Sequence, residues 1–493
     1  MAIRKAGDEM AGDHALVRAL EPGRIKSLCA ADRKSVMHPF SALAEQSNSD
    51  PRILARASGV YVTDANGKEY IDGGSGLWCV NVGYGRSEIA DVMAAQSREL
   101  SYALCFSGYS SEPLIELAER LLALAPSPMA KVLFNNSGSE ANEAQIKIVR
   151  AYNNLLGRPK KKKVISRWGA YHGSSIAAGS LTGNVIVHRH FDLPMAGILH
   201  TASPDYFRRE NRQLSLGEFV RATVDELDRL IVSEGPETIA AFIAEPLMGS
   251  CGVIIPPDGY YQAVQEVLRR HDILLIADEV ITGFGRVDGW FASPIVGMQP
   301  DLMTCAKGIT SGYFPMSACL VSDKVWDILT ADPSEAGVFG HGFTTAGHPV
   351  GAAVALKNLE IIERENLLEN ARNIGAYLLQ QLRTHLGDHP LVGDVRGLGM
   401  MCGVELDADK SAHQPFDNAY TIGSIFGKLC LEEGLMVRGG HGKAMAALAP
   451  PLILTSAQAD EIVNRMSRAL DSLAAHLQQN GLWRPRAFAS DRS

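Results

Sequence analysis

Three features of the chain predict an α/β protein with a mainly parallel sheet. Short continuous apolar runs recur along it, stretches with helical spacing separate them, and glycine-rich turns close them. The clearest run is Ile273, Leu274, Leu275, Ile276 and Ala277, bounded by His271-Asp272 and by a turn at Gly283; such an unbroken run suits a strand buried on both faces. Just before it, Tyr261, Val264, Val267 and Leu268 fall at helical spacing, so a helix feeds the strand as in a βαβ unit. Two acids, Asp278 and Glu279, follow at once. Ligands of open α/β sheets sit outside the carboxyl ends of the strands, which puts Asp278 where ligands are held. The ordinary alternative is an acid that caps a turn or meets a surface arginine.

In chain order, residues 1–37 are mixed in charge and weakly periodic, an N-terminal extension to which no chemistry is assigned. Within 38–85, the stretch 59–73 alternates around Asn66-Gly67, a hairpin signal that starts a smaller unit. From 86 to 344, apolar runs at 131–136, 163–166, 239–246, 274–279 and 301–308 alternate with helical stretches and predict a large domain with helices on both faces of its sheet. Residues 345–493 turn helical again, pass through 393–406, where Met400, Cys402 and Val404 alternate with short residues, and end in a helix near 456–478. They predict a second, smaller α+β domain to which the early hairpin returns. The basic run from Arg158 to Lys163 reads as a solvated connection.

Composition narrows the function classes. The 493 residues are 46% hydrophobic and 21% charged, as in ordinary globular proteins, and the net charge of −8 argues against nucleic acid or an anionic membrane as partner. The eight cysteines are scattered singly, without C-x-x-C pairs or zinc spacing, which predicts reduced thiols, no metal and a cytoplasmic protein. The N-terminal stretch MAIRKAGDEMAGDH lacks the apolar core of a signal peptide, and no apolar run approaches about 18 residues.

Chemistry is carried by segments that follow the predicted strands. Ser137, Gly138 and Ser139 open a helix after the 131–136 run, where free N–H groups and hydroxyls can hold a phosphate; a plain serine cap is the other reading. Neither a Walker loop nor a dinucleotide fingerprint is present there. Lys307 follows the 301–306 run in apolar surroundings that would depress its pKa and leave a nucleophilic amine, unless its head reaches solvent. Together with Asp278, and with Tyr171 and Val280 as walls, these groups match the needs of pyridoxal phosphate: an amine for its aldehyde, a carboxylate for its ring nitrogen, a helix end for its phosphate and flat or branched side chains against its ring.

The stretches NSGSEAN, AYHG, IAEP, ADEVITGFGR, CAKGIT and HGFTTAGHP, in this order from about Gly59 to about Thr455, resemble the class III pyridoxal-phosphate-dependent aminotransferases. GLWCVNVGYGR (76–86) and the stretch 434–455 look more like the amine–pyruvate, or omega, branch than the ornithine or GABA enzymes. The resemblance implies fold type I, with a mainly parallel seven-stranded sheet in the large domain. It implies that Lys307 forms the internal aldimine and Asp278 bonds the pyridine nitrogen. Ser137, Gly138 and Ser139 would bind phosphate, Tyr171 and Val280 would sandwich the ring, and His172 and Glu245 would lie beside the cofactor. Thr344 would reach the phosphate of a neighbouring subunit, making a homodimer, possibly within a tetramer. Trp78 would line the substrate pocket and Arg438 would pair with a substrate carboxylate. The implied reaction passes an amino group from a primary amine or omega-amino acid to a keto acid, with pyruvate expected as acceptor. Taurine, β-alanine and putrescine remain open as donors, and a mutase sharing the same cofactor is the rival within the chemistry. Met248, where GABA-type enzymes often carry glutamine, and the Ser250-Cys251 pair depart from the family pattern, as does the long alanine-rich loop 441–447.

Overall fold

The computed structural model describes residues 19–126, 128–440 and 442–484. Residues 1–18 of the N-terminal extension, including the stretch read for a signal peptide, lie outside the described residues, as does His441.

Three small strands come first: β1 (Leu54–Ser58), β2 (Tyr61–Asp64) and β3 (Glu69–Asp72). β2 and β3 form the hairpin expected around Asn66-Gly67, closed by the Asp64 N–H donating to the Lys68 carbonyl at 2.9 Å.

The large sheet follows, built from β4 (Met129–Asn135), β5 (Lys163–Arg167), β6 (Ile198–Thr201), β7 (Ile239–Ala244), β8 (Leu274–Asp278), β9 (Leu302–Cys305) and β10 (Ser317–Ser322). Its order is β4-β10-β9-β8-β7-β5-β6, and only β10 runs against its neighbours. Each central strand is buried along its length because helices cover both faces. Alternate side chains of β8 serve two separate cores. Leu275 and Ala277 pack with Val264, Val267 and Leu268 of the helix Tyr260–Arg270. Leu274 and Ile276 pack with Ala141, Ala144 and Ile148 of the helix Gly138–Leu155. Each buried Leu or Ile stabilises the fold by about 1.5–3 kcal/mol, so a one-residue slip of β8 would be strongly resisted. The period of two then sends Asp278 toward the helix Gly138–Leu155 and Glu279 to the opposite side.

The C-terminal third carries β11 (Val392–Leu398), β12 (Met401–Leu406), β13 (Leu435–Met436), β14 (Arg438–Gly439) and β15 (Met445–Leu448). β11-β12-β15-β14 form an antiparallel sheet, while β13 pairs in parallel with β3 and so joins the early hairpin to this region. The helix Ser456–Gln479, begun by a capping box between Thr455 and Gln458, packs along Leu367–Leu386 and Ala419–Glu432.

Of the alternating residues Met400, Cys402 and Val404, Met400 lies in a turn, and β12 is buried at every position. One expectation needs correction. The basic run at 158–163 is not solvated throughout: Lys161 is buried, with its ammonium donating to the carbonyls of His271 at 2.9 Å and Pro236 at 3.3 Å. Those carbonyls compensate the charge that burial removes from water.

Candidate active site

A cavity of about 330 Å³ opens at the carboxyl edge of the large sheet. Five strands deliver its walls: β4 leads to Ser137, Gly138 and Ser139, β5 to Tyr171 and His172, β7 to Glu245, β8 to Asp278 and Val280, and β9 to Lys307. The predicted amine, carboxylate and helix end therefore face one space.

Asp278 is 3% accessible and its carboxylate is fully directed. Oδ2 accepts from His172 Nδ1 at 2.7 Å and from Asn142 Nδ2 at 2.8 Å, and Oδ1 accepts from the Val280 N–H at 3.1 Å. A carboxylate only accepts, so Nδ1 of His172 carries the hydrogen. Asn142 also donates to the His172 carbonyl at 2.8 Å and accepts from the Thr304 hydroxyl at 2.9 Å, joining the helix, the Tyr171 loop and β9. Glu279, sent the other way, accepts from the hydroxyl and N–H of Ser293 and from the N–H of Ala292. Burial pushes its pKa up, and its role is to brace the turn that follows. Adjacent acids thus have different tasks because they point to opposite sides of the strand.

Lys307 adopts a left-handed backbone, φ +48°, which costs a non-glycine residue roughly 1–3 kcal/mol and is held by its surroundings. Asn358 Nδ2 donates to the carbonyls of Gly308 at 2.8 Å and Ile309 at 3.0 Å, fixing the turn. A Cβ at Gly308 would stand 2.5 Å from Asn81 Nδ2, so glycine lets this turn approach the Asn81 loop. The Lys307 residue keeps some accessible surface as a wall of the cavity while its ammonium is enclosed. Burial lowers its pKa to about 8, against the opposing pull of Cys79, Asp278 and Glu245, and with the positive charge of Arg438 lowering it further.

Ser137 caps the helix Gly138–Leu155, its hydroxyl accepting from the Glu140 N–H at 3.2 Å, while the Glu140 side chain accepts from the Asn136 N–H at 2.8 Å. Ser139 Oγ accepts from the Ser174 N–H at 3.1 Å and so ties the helix start to the Tyr171 loop. A Cβ at Gly138 would meet both Val280 methyl groups at 3.1 Å, which places Val280 against the helix start. Glu245 is buried, accepts from the N–H groups of Tyr171 at 3.1 Å and Gly249 at 3.0 Å, and has its pKa raised by burial.

Three further predicted residues stand apart from these walls. Trp78 is 4% accessible and packs with Leu247, Val253 and Ile281, of which Ile281 faces the cavity. Arg438 lies on β14 beside Gly74, where burial lowers its pKa against the pull of Asp72 and Cys79. Thr344 is exposed, its carbonyl accepting from the Tyr102 hydroxyl at 2.8 Å. Asn142 and Asn358 were missed by sequence reading. The signal available for Asn142 was its place in NSGSEAN, one turn inside the helix; nothing in the sequence marks Asn358.

The sequence model of the family described as Aminotransferase class-III matches residues 42–470. This chain belongs to the class III aminotransferases. It is 46% identical to the diaminobutyrate–2-oxoglutarate transaminase of Halomonas elongata, over 92% of this chain and 98% of that protein. It is 42% identical to the putrescine–pyruvate aminotransferase of Pseudomonas aeruginosa, over 90% of this chain and 96% of that protein. Among solved structures, the omega transaminase from Pseudomonas jessenii in complex with PMP superposes with a TM-score of 0.89 at 42% identity, covering 92% of this chain and 99% of that one. Class III aminotransferases act on small-molecule amines and keto acids and depend on pyridoxal 5′-phosphate. The donor set of this aminotransferase fits that cofactor. An enclosed amine, a directed carboxylate and a helix end open on one cavity, and the buried Nε2 of the cavity-lining His172 has no hydrogen-bond partner among the described residues. Among the described residues no cluster of His, Cys, Asp and Glu could hold a metal ion, and no helix is long and apolar enough to cross a membrane.

Proposed function

We propose that the enzyme moves an amino group from a primary amine or omega-amino acid to pyruvate, with Lys307 and Asp278 as its catalytic residues. The carrying observation is that these two side chains, far apart in sequence, line one cavity. Lys307 would hold the cofactor through Nζ, Asp278 its ring nitrogen, Ser137, Gly138 and Ser139 its phosphate, and Tyr171 and Val280 its two ring faces, with His172 and Glu245 alongside. The bound cofactor supplies an aldehyde that takes up the amino group and a ring that withdraws electrons from the reacting carbon. Lys307 Nζ, with a pKa near about 8, is partly neutral at neutral pH and takes the proton from the Cα of the donor as general base. Asp278, directed by its three hydrogen bonds, stabilises positive charge opposite it. In the second half-reaction the same groups work in reverse on the keto acid.

Arg438 is proposed as the partner of the acceptor's carboxylate and Trp78 as a wall that shapes the donor side. Thr344 is proposed to complete the phosphate site of a neighbouring subunit in a homodimer. Supporting this, Tyr102, Phe106, Tyr109, Val338 and Phe339 expose apolar surface on the two touching segments around Thr344. We take 38–85 with 345–493 as the smaller domain and 86–344 as the cofactor-binding domain. The eight free cysteines support a cytoplasmic setting.

The two named relatives use different acceptors, 2-oxoglutarate and pyruvate, so acceptor choice is the sharpest test. A panel of primary amines, diamines and omega-amino acids is incubated with pyruvate and with 2-oxoglutarate, and alanine and glutamate are measured. Alanine should dominate; glutamate in excess would replace pyruvate by 2-oxoglutarate, and neither product would refute the proposal.

A further inference from the structure

Away from the cavity, one buried carboxylate gathers an ion cluster that the reaction chemistry does not use. Glu405 of β12 is 1% accessible. Its Oε1 accepts from Arg208 Nε at 2.7 Å, its Oε2 from Arg396 Nη2 at 2.6 Å, and Lys443 Nζ stands 3.8 Å from Oε2. Lys443 also donates to Asp205, and Arg208 pairs with Asp407 at 2.6 Å. Arg396 donates further to Asp394 at 2.6 Å and to the carbonyls of Gly252 and Val253. Against the cost of burial, the flanking cations hold the Glu405 carboxyl down at about 2, so this carboxylate is charged at every physiological pH.

The cluster joins segments that approach the cavity from different directions. Arg396 grips the Gly252-Val253 turn, a few residues beyond Glu245 and Gly249. Lys443 ends the arm that begins at Arg438, which pairs with Ala447 at the start of β14. Between them lie Gly439, Gly440 and Gly442, which have no Cβ to stiffen the backbone. The described part of this segment is held by the pairing of Arg438 and Gly439 with β15, by Gly440 buried against Met445, and by the ammonium of Lys443 set between Asp205 and Glu405.

We propose that Lys443 is a positioning residue for Arg438: its ion pairs with Asp205 and Glu405 clamp the glycine-rich arm and thereby set how tightly the enzyme holds the carboxylate of the acceptor. The inference rests on the reading of Arg438 given above. It assigns to Lys443 an effect on carboxylate-bearing substrates alone, because a donor without a carboxylate does not call on Arg438.

The test is steady-state kinetics of the holoenzyme with pyruvate and a primary amine that lacks a carboxylate, for the parent, Lys443→Met, Lys443→Arg, Arg438→Gln and the Arg438→Gln/Lys443→Met double variant. Lys443→Met should raise KM for pyruvate about threefold to tenfold, the size expected for loss of a partly buried ion pair, with kcat and the amine KM unchanged. Lys443→Arg should restore the parent value, and the double variant should be no worse than Arg438→Gln alone. Should Lys443→Met fold poorly, Asp205→Asn removes the same pair from the other side and should give the same selective rise. A raised KM in Arg438→Gln beside a normal one in Lys443→Met would overturn the clamp. Equal losses for both substrates would overturn it too, as a purely structural role. A normal pyruvate KM in Arg438→Gln would instead overturn the reading of Arg438, and the clamp with it.

Discussion

The floor and the rim of the cavity are built on different principles. The floor, with Asp278, His172, Asn142 and Lys307, hangs on buried strand ends of one sheet and on the helix packed against it, and Asp278, His172 and Asn142 bond to one another. The groups proposed for the rim, Trp78, Arg438 and Thr344, stand on separate segments, Trp78 in the short helix Ser75–Trp78, Arg438 on β14 of a different sheet and Thr344 in a turn. A hydrogen-bonded floor fixes charge and proton position, which any amine substrate requires. A rim assembled from distant segments can change with the substrate while the floor stays the same.

Breaking the floor should therefore cost far more than altering the rim. Lys307→Ala removes the amine altogether, and turnover should fall to background with no cofactor-bound absorbance; retained activity would show that another group does its work. Asp278→Asn keeps the shape and loses the charge, and kcat should drop about a hundredfold or more, in the range seen when one preorganised electrostatic partner is removed. Asn142→Ala leaves Asp278 with His172 and the Val280 N–H and should cost about tenfold to hundredfold in kcat, measured with saturating amine, as one buried hydrogen bond is lost. If it altered pyruvate KM alone, the division between floor and rim would be wrong. The smallest effect is that of pH. The Lys307 amine has its pKa lowered to about 8, so its neutral fraction grows as pH rises. Cofactor uptake by the apoenzyme, followed by absorbance, should therefore speed up from pH 6 and level off above about 8. A rate independent of pH across that range would contradict the enclosed amine.

The floor was legible in the sequence because its signals are local. An unbroken run such as 273–277 suits a strand covered on both sides, and an acid just after such a strand falls at the ligand edge of an open sheet. The hairpin at Asn66-Gly67 and the serine cap at Ser137 are equally local. What the sequence concealed depends on contacts between distant segments. Asn142 gains its task only when its helix docks beside β8, and Lys161 is buried because the carbonyls of Pro236 and His271 come to meet it. The same holds for β12, whose second side is covered by the loop after β7, Gly403 lying against the Gly252 carbonyl.

The central claim is that the amine at the end of β9 holds the cofactor over the carboxylate at the end of β8. Borohydride reduction of the holoenzyme, followed by proteolysis and mass spectrometry, tests it most directly. One pyridoxyl group on Lys307, and none there after Lys307→Ala, is the predicted result; attachment at another lysine of the unreplaced chain would contradict it.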